Sequence, residues 1–339
     1  MPNPSPAPTA RSFDDVLTFD EMRIIELPEI RRALVYPEVI ARMRDALIAN
    51  SRGECDTPMP MHLDVQPQSG EVHIKSSYRR GGKYFALKIA STFPGNLARG
   101  LPTGNGMMLL CSAETGEPEV LLADAGHLTD VRTAAVAAMV AHELKRSDRA
   151  IGILGTGVQA RLQAQMHAQV LDLVNLWVWG RTPERVAECQ QDLERLLPHV
   201  DVLVADSPAE VAHQTRLIIT CTASHTPLLL AAHLRPGTLI SAVGSDSPGK
   251  QELDPGVLRR AALILVDSRL QCEKLGELQH APSEWERAVE IGSFCGGKDA
   301  LRSKPRPDVV DGPITVCDFT GLGVEDLYIA EYCYERCGN

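Results

Sequence analysis

The segment Gly155-Thr156-Gly157-Val158-Gln159-Ala160 constrains this chain more than any other, because of what surrounds it. A short apolar run over 151–154 predicts a buried strand just before it. Apolar periodicity over 159–170 predicts a helix, and 174–179 predicts a second strand. A GxGxxA loop between strand and helix is a dinucleotide-binding turn. Gly155 permits the tight turn, Gly157 lets the backbone approach a pyrophosphate, and Ala160 lets helix and strand pack closely. The helix N-terminus favours the anion. The pattern then continues with a helix over 183–197 and strands over 201–205, 217–220, 239–243 and 263–266. Strands alternating with helices predict an α/β fold with a parallel, doubly wound sheet.

The second strand ends at Trp179-Gly180-Arg181-Thr182. NAD-preferring sites usually place an Asp or Glu there for the ribose 2′-hydroxyl. No acid occupies that point. Arg181 and Thr182 suit a 2′-phosphate, which favours NADP(H) over NAD(H); a merely solvated Arg181 is the plain alternative. Cys221-Thr222-Ala223-Ser224 ends a later strand and Val243-Gly244 the next, where loops line the nicotinamide crevice.

The remainder has a different texture. Residues 17–52 carry apolar positions at helical spacing, including Leu17, Met22, Ile25 and the run 35–47. Between 59 and 122, short segments at 71–76, 84–90, 106–112 and 119–122 are separated by Gly, Pro and Asn, which are strand-and-turn signals. An alanine-rich helix is expected over 131–144, and one strand and one helix over 314–333. The resulting division is a loose tail over 1–16, a first unit over 17–128, the dinucleotide unit over 129–308, and a return to the first unit over 309–339.

Composition narrows the function. The 339 residues suffice for two domains. A formal net charge of −10 argues against a nucleic-acid partner. The densest basic spot, Arg79, Arg80 and Lys83, reads as a hairpin turn. No apolar run reaches transmembrane length, so no membrane is expected. The nine cysteines are scattered, with no CxxC pair and no zinc spacing. Free thiols in a reducing cytoplasm account for them, and no metal is expected. The first dozen residues, rich in Pro, Ala and Ser, lack the apolar core of a signal peptide.

Three residues carry candidate chemistry. Arg132, at the start of an apolar helix, suits bidentate carboxylate binding or reads as a surface arginine. Lys88 sits among Tyr84-Phe85-Ala86-Leu87-Lys88-Ile89-Ala90, where it holds a carboxylate, meets a reacting nitrogen, or simply faces outward. Asp246, in a Gly/Ser/Pro loop at a strand's C-terminal end, is a proton-handling carboxylate or an Asx-turn residue.

The chain resembles the ornithine cyclodeaminase/mu-crystallin family. The resemblance is carried by Phe93-Pro94-Gly95-Asn96 with Arg99-Gly100-Leu101-Pro102-Thr103, then by Leu128-Thr129-Asp130-Val131-Arg132-Thr133-Ala134-Ala135. The dinucleotide loop follows, then Ala242-Val243-Gly244-Ser245-Asp246-Ser247-Pro248-Gly249-Lys250 with Glu252-Leu253, and last Thr320-Gly321-Leu322-Gly323-Val324-Glu325-Asp326. These cover roughly 17–330 in order. The resemblance implies a Rossmann domain inserted into a split α+β substrate domain, and a homodimer built through the latter. It implies catalytic roles for Lys88 and Asp246, and substrate contacts from Arg132 and Gly321. Two positions depart from the cyclodeaminase pattern: Met61 or Met59 stands where an arginine is expected. Lys75, thirteen positions before Lys88, stands where a glutamate would meet the substrate's distal amine. Lys75 then replaces the missing arginine as a carboxylate ligand, or meets an acidic or hydroxylated side chain. Both changes count against ornithine. The implied function is NAD(P)-dependent hydride transfer at the α-carbon–nitrogen bond of a small amino or imino acid. A cyclodeaminase returns the hydride after losing ammonia, whereas an imine reductase or amino acid dehydrogenase stops at net transfer. The alternative is a non-catalytic NADP(H)-binding protein.

Overall fold

The computed structural model describes residues 22–297 and 314–338; the tail expected over 1–16 lies outside them. The first element among the described residues is strand β1 (Arg23–Glu26), where helix was expected. The local period there is two, not 3.6: Ile25 is buried while Ile24 is exposed. β1 completes one edge of a sheet by pairing parallel with a later strand. Two helices follow, α1 (Leu27–Ala33) and α2 (Tyr36–Ser51), each with a proline in its first turn, where the missing N–H costs nothing.

The first sheet is then built from β2 (Cys55–Asp56), β3 (Met61–Val65), β4 (Gly70–Arg79), β5 (Tyr84–Thr92), β6 (Gly104–Ser112) and β7 (Pro118–Ala123). β4 to β7 form an antiparallel meander, with β2 and β3 both on β4 and β1 on β7. Arg80 and Lys83 lie in the β4–β5 turn, as the sequence suggested. The register decides which side chains share a face. Lys75 stands opposite Lys88, His73 opposite Ala90 and Glu71 opposite Thr92. Residues two apart on a strand face the same way, so these six form one patch. On the other face, Met61, Ile74, Ile89 and Met107 form a single cross-strand row.

Helix α3 (His127–Glu143) leads into the second unit. It is followed by β8 (Ala150–Leu154), α4 (Val158–His167), β9 (Asn175–Trp179), α5 (Pro183–Leu196), β10 (Asp201–Val204), α6 (Pro208–Gln214) and β11 (Leu217–Thr220). Next come β12 (His225–Leu229), β13 (Leu239–Ala242), β14 (Gln251–Leu253), α7 (Pro255–Arg260), β15 (Ala261–Val266), α8 (Arg269–Leu275), β16 (Val289–Glu290) and α9 (Ile291–Cys295). After the second described segment begins come β17 (Ile314–Asp318) and α10 (Gly323–Cys337). The eight-stranded sheet has the order β10-β9-β8-β11-β13-β17-β15-β16, and its pairings are parallel. The strand order reverses between β8 and β11, the place where such sheets bind ligands.

One expectation is corrected here. The strand expected to return to the first unit, β17, inserts between β13 and β15 of the second sheet. Only α10 goes back, packing on β4, β5, β6, α2 and α3. Strand order is set by long-range pairing, which the local pattern of 314–318 does not encode.

Helix α3 joins the units through alanines. Ala134, Ala135, Ala137, Ala138 and Ala141 are fully buried, and the helix packs on α2, α4 and α10. Small side chains let the helices approach closely. Ala138→Leu should therefore overpack this junction and destabilise the protein by about 1–3 kcal/mol, read from urea unfolding midpoints. An unchanged midpoint would show that the junction has room to spare.

Candidate active site

A cavity of about 220 Å³ opens between the two sheets. The patch on β4 and β5 forms one wall, with Glu71, His73, Lys75, Lys88, Ala90 and Thr92. The first turns of α3 add Thr129, Asp130, Arg132 and Thr133. The second unit contributes Gln159, Val243, Asp246, Lys250 and Asp267, and the loop after β17 brings Phe319, Thr320 and Gly321.

Lys88 and Arg132 are buried charges, and α10 neutralises both. The Lys88 ammonium lies 2.9 and 2.8 Å from the two carboxylate oxygens of Asp326. Arg132 donates from Nε to Asp326 at 3.1 Å and from Nη1 to Glu325 at 2.8 Å. Burial lowers the Lys88 ammonium to about 7, against the opposing pull of Asp326. Burial also pushes Glu325 up to about 7, while Lys88 and Arg132 hold Asp326 below its usual range despite its burial. Gly321 has a φ of +73°, and a β-carbon there would run into the Arg132 guanidinium. A residue other than glycine would displace that cation.

Lys75 is placed differently. Its ammonium donates to the carbonyl oxygens of Thr320 and Gly321 at 3.1 and 2.7 Å. Among the described residues it has no carboxylate within ion-pair distance, whereas Lys88 and Lys250 have one each and Arg132 has two. Burial, and then the neighbouring Arg132, lower its pKa. The carbonyls it uses are themselves fixed, because buried Asp267 accepts from Thr320 N at 2.7 Å and Gly321 N at 2.6 Å.

Asp246 faces this cluster from the second unit. Its Oδ1 accepts from Lys250 Nζ at 2.7 Å and Ser247 Oγ at 3.2 Å. Burial alone would raise its pKa, but Lys250, Lys75 and His73 bring the net shift downward. Asp130, on α3, is instead pushed up by burial to about 6, with Gln159 as its side-chain donor at 3.2 Å.

A second pocket of about 280 Å³ lies along the C-terminal ends of β8, β9 and β11. Gly155, Thr156, Gly157, Trp179, Gly180, Arg181, Thr182, Cys221, Thr222, Ala223, Ser224 and Leu228 line it. A dinucleotide fits these residues. Gly155 has a φ of +136°, and a β-carbon there would sit 2.7 Å from the Cys221 sulfur, whereas a β-carbon at Gly157 would meet nothing within 4 Å. No side chain caps the N-terminus of α4, so its first-turn N–H groups are available to an anion. Arg161 fastens the loop from behind by donating to the carbonyls of Thr156 and Gly157 at 2.8 and 3.1 Å.

The floor between the pockets is held by a buried carboxylate. Glu252 accepts from Thr220 Oγ1 (2.6 Å), Thr222 N (2.6 Å), Thr222 Oγ1 (2.7 Å) and Gly244 N (2.9 Å). It thereby ties the loop after β11 to the loop after β13. Glu277 in turn accepts from the backbone of Glu252 and Leu253, and Asp318 from that of Glu277 and Leu278.

The structure thus brings Lys75, Lys88, Arg132, Asp246 and Gly321 into one cavity, with Gln159 and Val243 at its edge. Three cofactor-loop candidates line neither pocket: Val158 is exposed, Ala160 is buried in the first turn of α4, and Gly244 serves as a donor to Glu252. Met61 also falls outside. It shares a face with Ile74, away from the cavity, and is 57% exposed; neighbouring His62, paired with cavity-lining His73, lies on the inward face. Asp326, Glu325, Asp267, Asp130, Glu252 and Lys250 received no role from the sequence. All but Asp267 stand in the quoted motifs, so adjacency to Arg132, Asp246 and Gly321 was the available signal. Among the described residues, no group of three or more His, Cys, Asp or Glu is placed to hold a metal ion, and no helix is long and apolar enough to cross a membrane.

Comparison with known proteins shows the family and the fold. An uncharacterized cyclodeaminase of Sinorhizobium fredii is 36% identical over 285 residues, covering 82% of this chain and 84% of the relative. A putative dehydrogenase of Rhizobium meliloti is 35% identical over 317 residues, covering 93% and 95%. Among solved structures, an archaeal alanine dehydrogenase dimer with bound NAD superimposes with a TM-score of 0.81 at 26% identity, covering 93% of this chain and 95% of that one. The model of the ornithine cyclodeaminase/mu-crystallin family matches residues 22–339, and the chain belongs to that family.

Proposed function

We propose that this protein is a nicotinamide-dependent enzyme that transfers hydride at the α-carbon–nitrogen bond of a small amino or imino acid. The observation that carries this reading is the cavity itself. Lys75, Lys88, Arg132 and Asp246 converge there beside a dinucleotide crevice. The relatives are named for catalytic activities, which supports an enzyme over a non-catalytic binding protein. Bound nicotinamide would supply or accept the hydride. The chain's own residues bind, orient and move protons. Lys75, whose charge no side chain cancels, and the adjacent Arg132 hold the α-carboxylate. Lys88, poised near neutrality, exchanges a proton with the substrate nitrogen. Asp246 presents a carboxylate from the opposite wall, where it stabilises the cationic imine or accepts a proton. Lys75 offers no counter-charge to a distal ammonium and would repel one by a few kcal/mol at close range in a partly dry site. A neutral cyclic imine, or a side chain with an acid or hydroxyl, suits the site better than ornithine.

NADP(H) is the favoured coenzyme, with NAD(H) second. Arg181 and Thr182 line the nucleotide pocket, and among the described residues no Asp or Glu does. Fluorescence titration should give tighter binding of NADPH than NADH, and Arg181→Asp should weaken NADPH selectively. Tighter NADH binding by the unaltered protein would refute the preference.

The protein forms a homodimer through the outer face of the first sheet. Met61, Ile89 and Met107 in the row described above are 57%, 41% and 44% exposed, a continuous apolar strip that water covers in a monomer. Sedimentation equilibrium should give the mass of a dimer, and Ile89→Asp should shift it toward monomer. A monomer at micromolar concentration would rule this out.

The reaction is tested by coenzyme stoichiometry across a panel of amino and imino acids. Net reduction consumes one NAD(P)H per turnover, whereas cyclodeamination needs only catalytic coenzyme. Asp246→Asn and Lys88→Met should each bind coenzyme normally and lose turnover by roughly a hundredfold or more. Full turnover in both variants would remove the chemical roles assigned to these residues.

A further inference from the structure

Two charged side chains of the second unit enter the cavity as a pair, and only one has a role so far. Lys250 lines the cavity four residues after Asp246, with its side chain 17% exposed against 47% for Asp246. Its placement is built rather than incidental. The Lys250 carbonyl accepts from buried Ser245 Oγ at 2.8 Å and from His280 Nε2 at 2.8 Å. Gln279 grips the same stretch, donating to the Ser247 and Lys250 carbonyls and accepting from Gly249 N at 2.8 Å. Glu252 fastens the loop's entry at Gly244. A flexible lysine is thereby brought to 2.7 Å from the carboxylate it faces.

We infer that Lys250 is a positioning residue for Asp246, fixing the carboxylate in the cavity and setting the pH above which it is available for reaction. This rests on the proposal that Asp246 takes part in the chemistry. The other groups facing the pair are His73, Lys75 and Glu71 from β4 and Glu252 from β14. His73 and Lys75 also favour the ionised carboxylate, but neither is within ion-pair distance of it among the described residues. Ser247 Oγ donates to the carboxylate without charge, and among the described residues Lys250 is the cation in direct contact with it. The sign follows: an adjacent cation stabilises the carboxylate, so its removal raises the pH at which Asp246 ionises. Activity that needs the ionised form then fails at higher pH on the acid side.

The test is the pH–rate profile of the full-length enzyme with saturating coenzyme. Lys250→Met should move the acid limb of kcat upward by about one pH unit or more, with unchanged coenzyme binding. Lys250→Arg should restore the limb toward its original position, because a guanidinium keeps the charge. Asp246→Asn separates the two claims: retained turnover there refutes the role of Asp246 itself. If Asp246→Asn is inactive but Lys250→Met leaves the acid limb in place, Lys250 does not set the pH and this inference falls. A raised KM in Lys250→Met with an unmoved limb also overturns it, since that marks a substrate contact.

Discussion

The cavity depends on one buried electrostatic arrangement, in which Asp326 and Glu325 from the first turn of α10 neutralise Lys88 and Arg132. Each of these four side chains is at most 5% exposed. Charges removed from water this completely persist only when paired, and deleting one member of such a pair typically costs about 3–5 kcal/mol. The acids sit where the helix dipole favours them, at an N-terminus. The pairing also has an architectural effect. β17 belongs to the second sheet and α10 to the first unit, so the Thr320–Gly321 turn between them spans the two. The ion pairs lock α10 against β5 and α3, and Asp267 locks the turn against β15, which fixes the cavity walls relative to one another.

A second set of carboxylates acts through backbone instead of charge partners. Asp318, Glu277 and Glu252 form a relay in which each accepts N–H groups from the stretch that carries the next. Burial, with the like charges of Glu252 and Asp318 adding to it, pushes Glu277 well above the ordinary carboxyl range, and burial takes Asp318 up to about 7. Such groups serve as rigid acceptors whether or not they carry full charge. Their arrangement ties together the strand-end loops at Thr222 and Gly244, connections of a kind that is otherwise commonly mobile.

How much of this was legible in the sequence follows from the range of each interaction. The dinucleotide turn was readable because its requirements are local: Gly155, Gly157 and Ala160 answer to neighbours within one strand–loop–helix. The inward pattern of β4 and β5 was readable in principle through alternation, and Lys75 and Lys88 do share a face. Met61 was misplaced because strand phase, not residue type, decides facing, and one step along β3 exchanges Met61 for His62. Partners were not legible at all. Lys88 finds Asp326 238 residues away, and nothing local distinguishes it from a solvated lysine. Glu252 likewise reads as a surface acid until two loops are brought onto it. The position of β17 failed for the same reason, since its pairing is with strands distant in sequence.

The division of protonation states across the cavity follows from these placements. Lys88 is depressed first by burial, with Arg132 and Lys75 adding to the effect and Asp326 opposing it. Asp246 is held ionised by a different cation, on a different unit. Both groups are shifted downward, yet the ammonium is brought to about 7 while the carboxylate stays below its ordinary range, which separates proton donor from anion at one pH. The cations that depress Lys88 are the ones best placed to receive a carboxylate. An anion seated between Lys75 and Arg132 would offset their repulsion, and so raise the affinity of Lys88 for its proton. On the proposed reading, substrate binding and the charging of Lys88 are coupled: a carboxylate held by Lys75 and Arg132 would also favour the protonated state of Lys88.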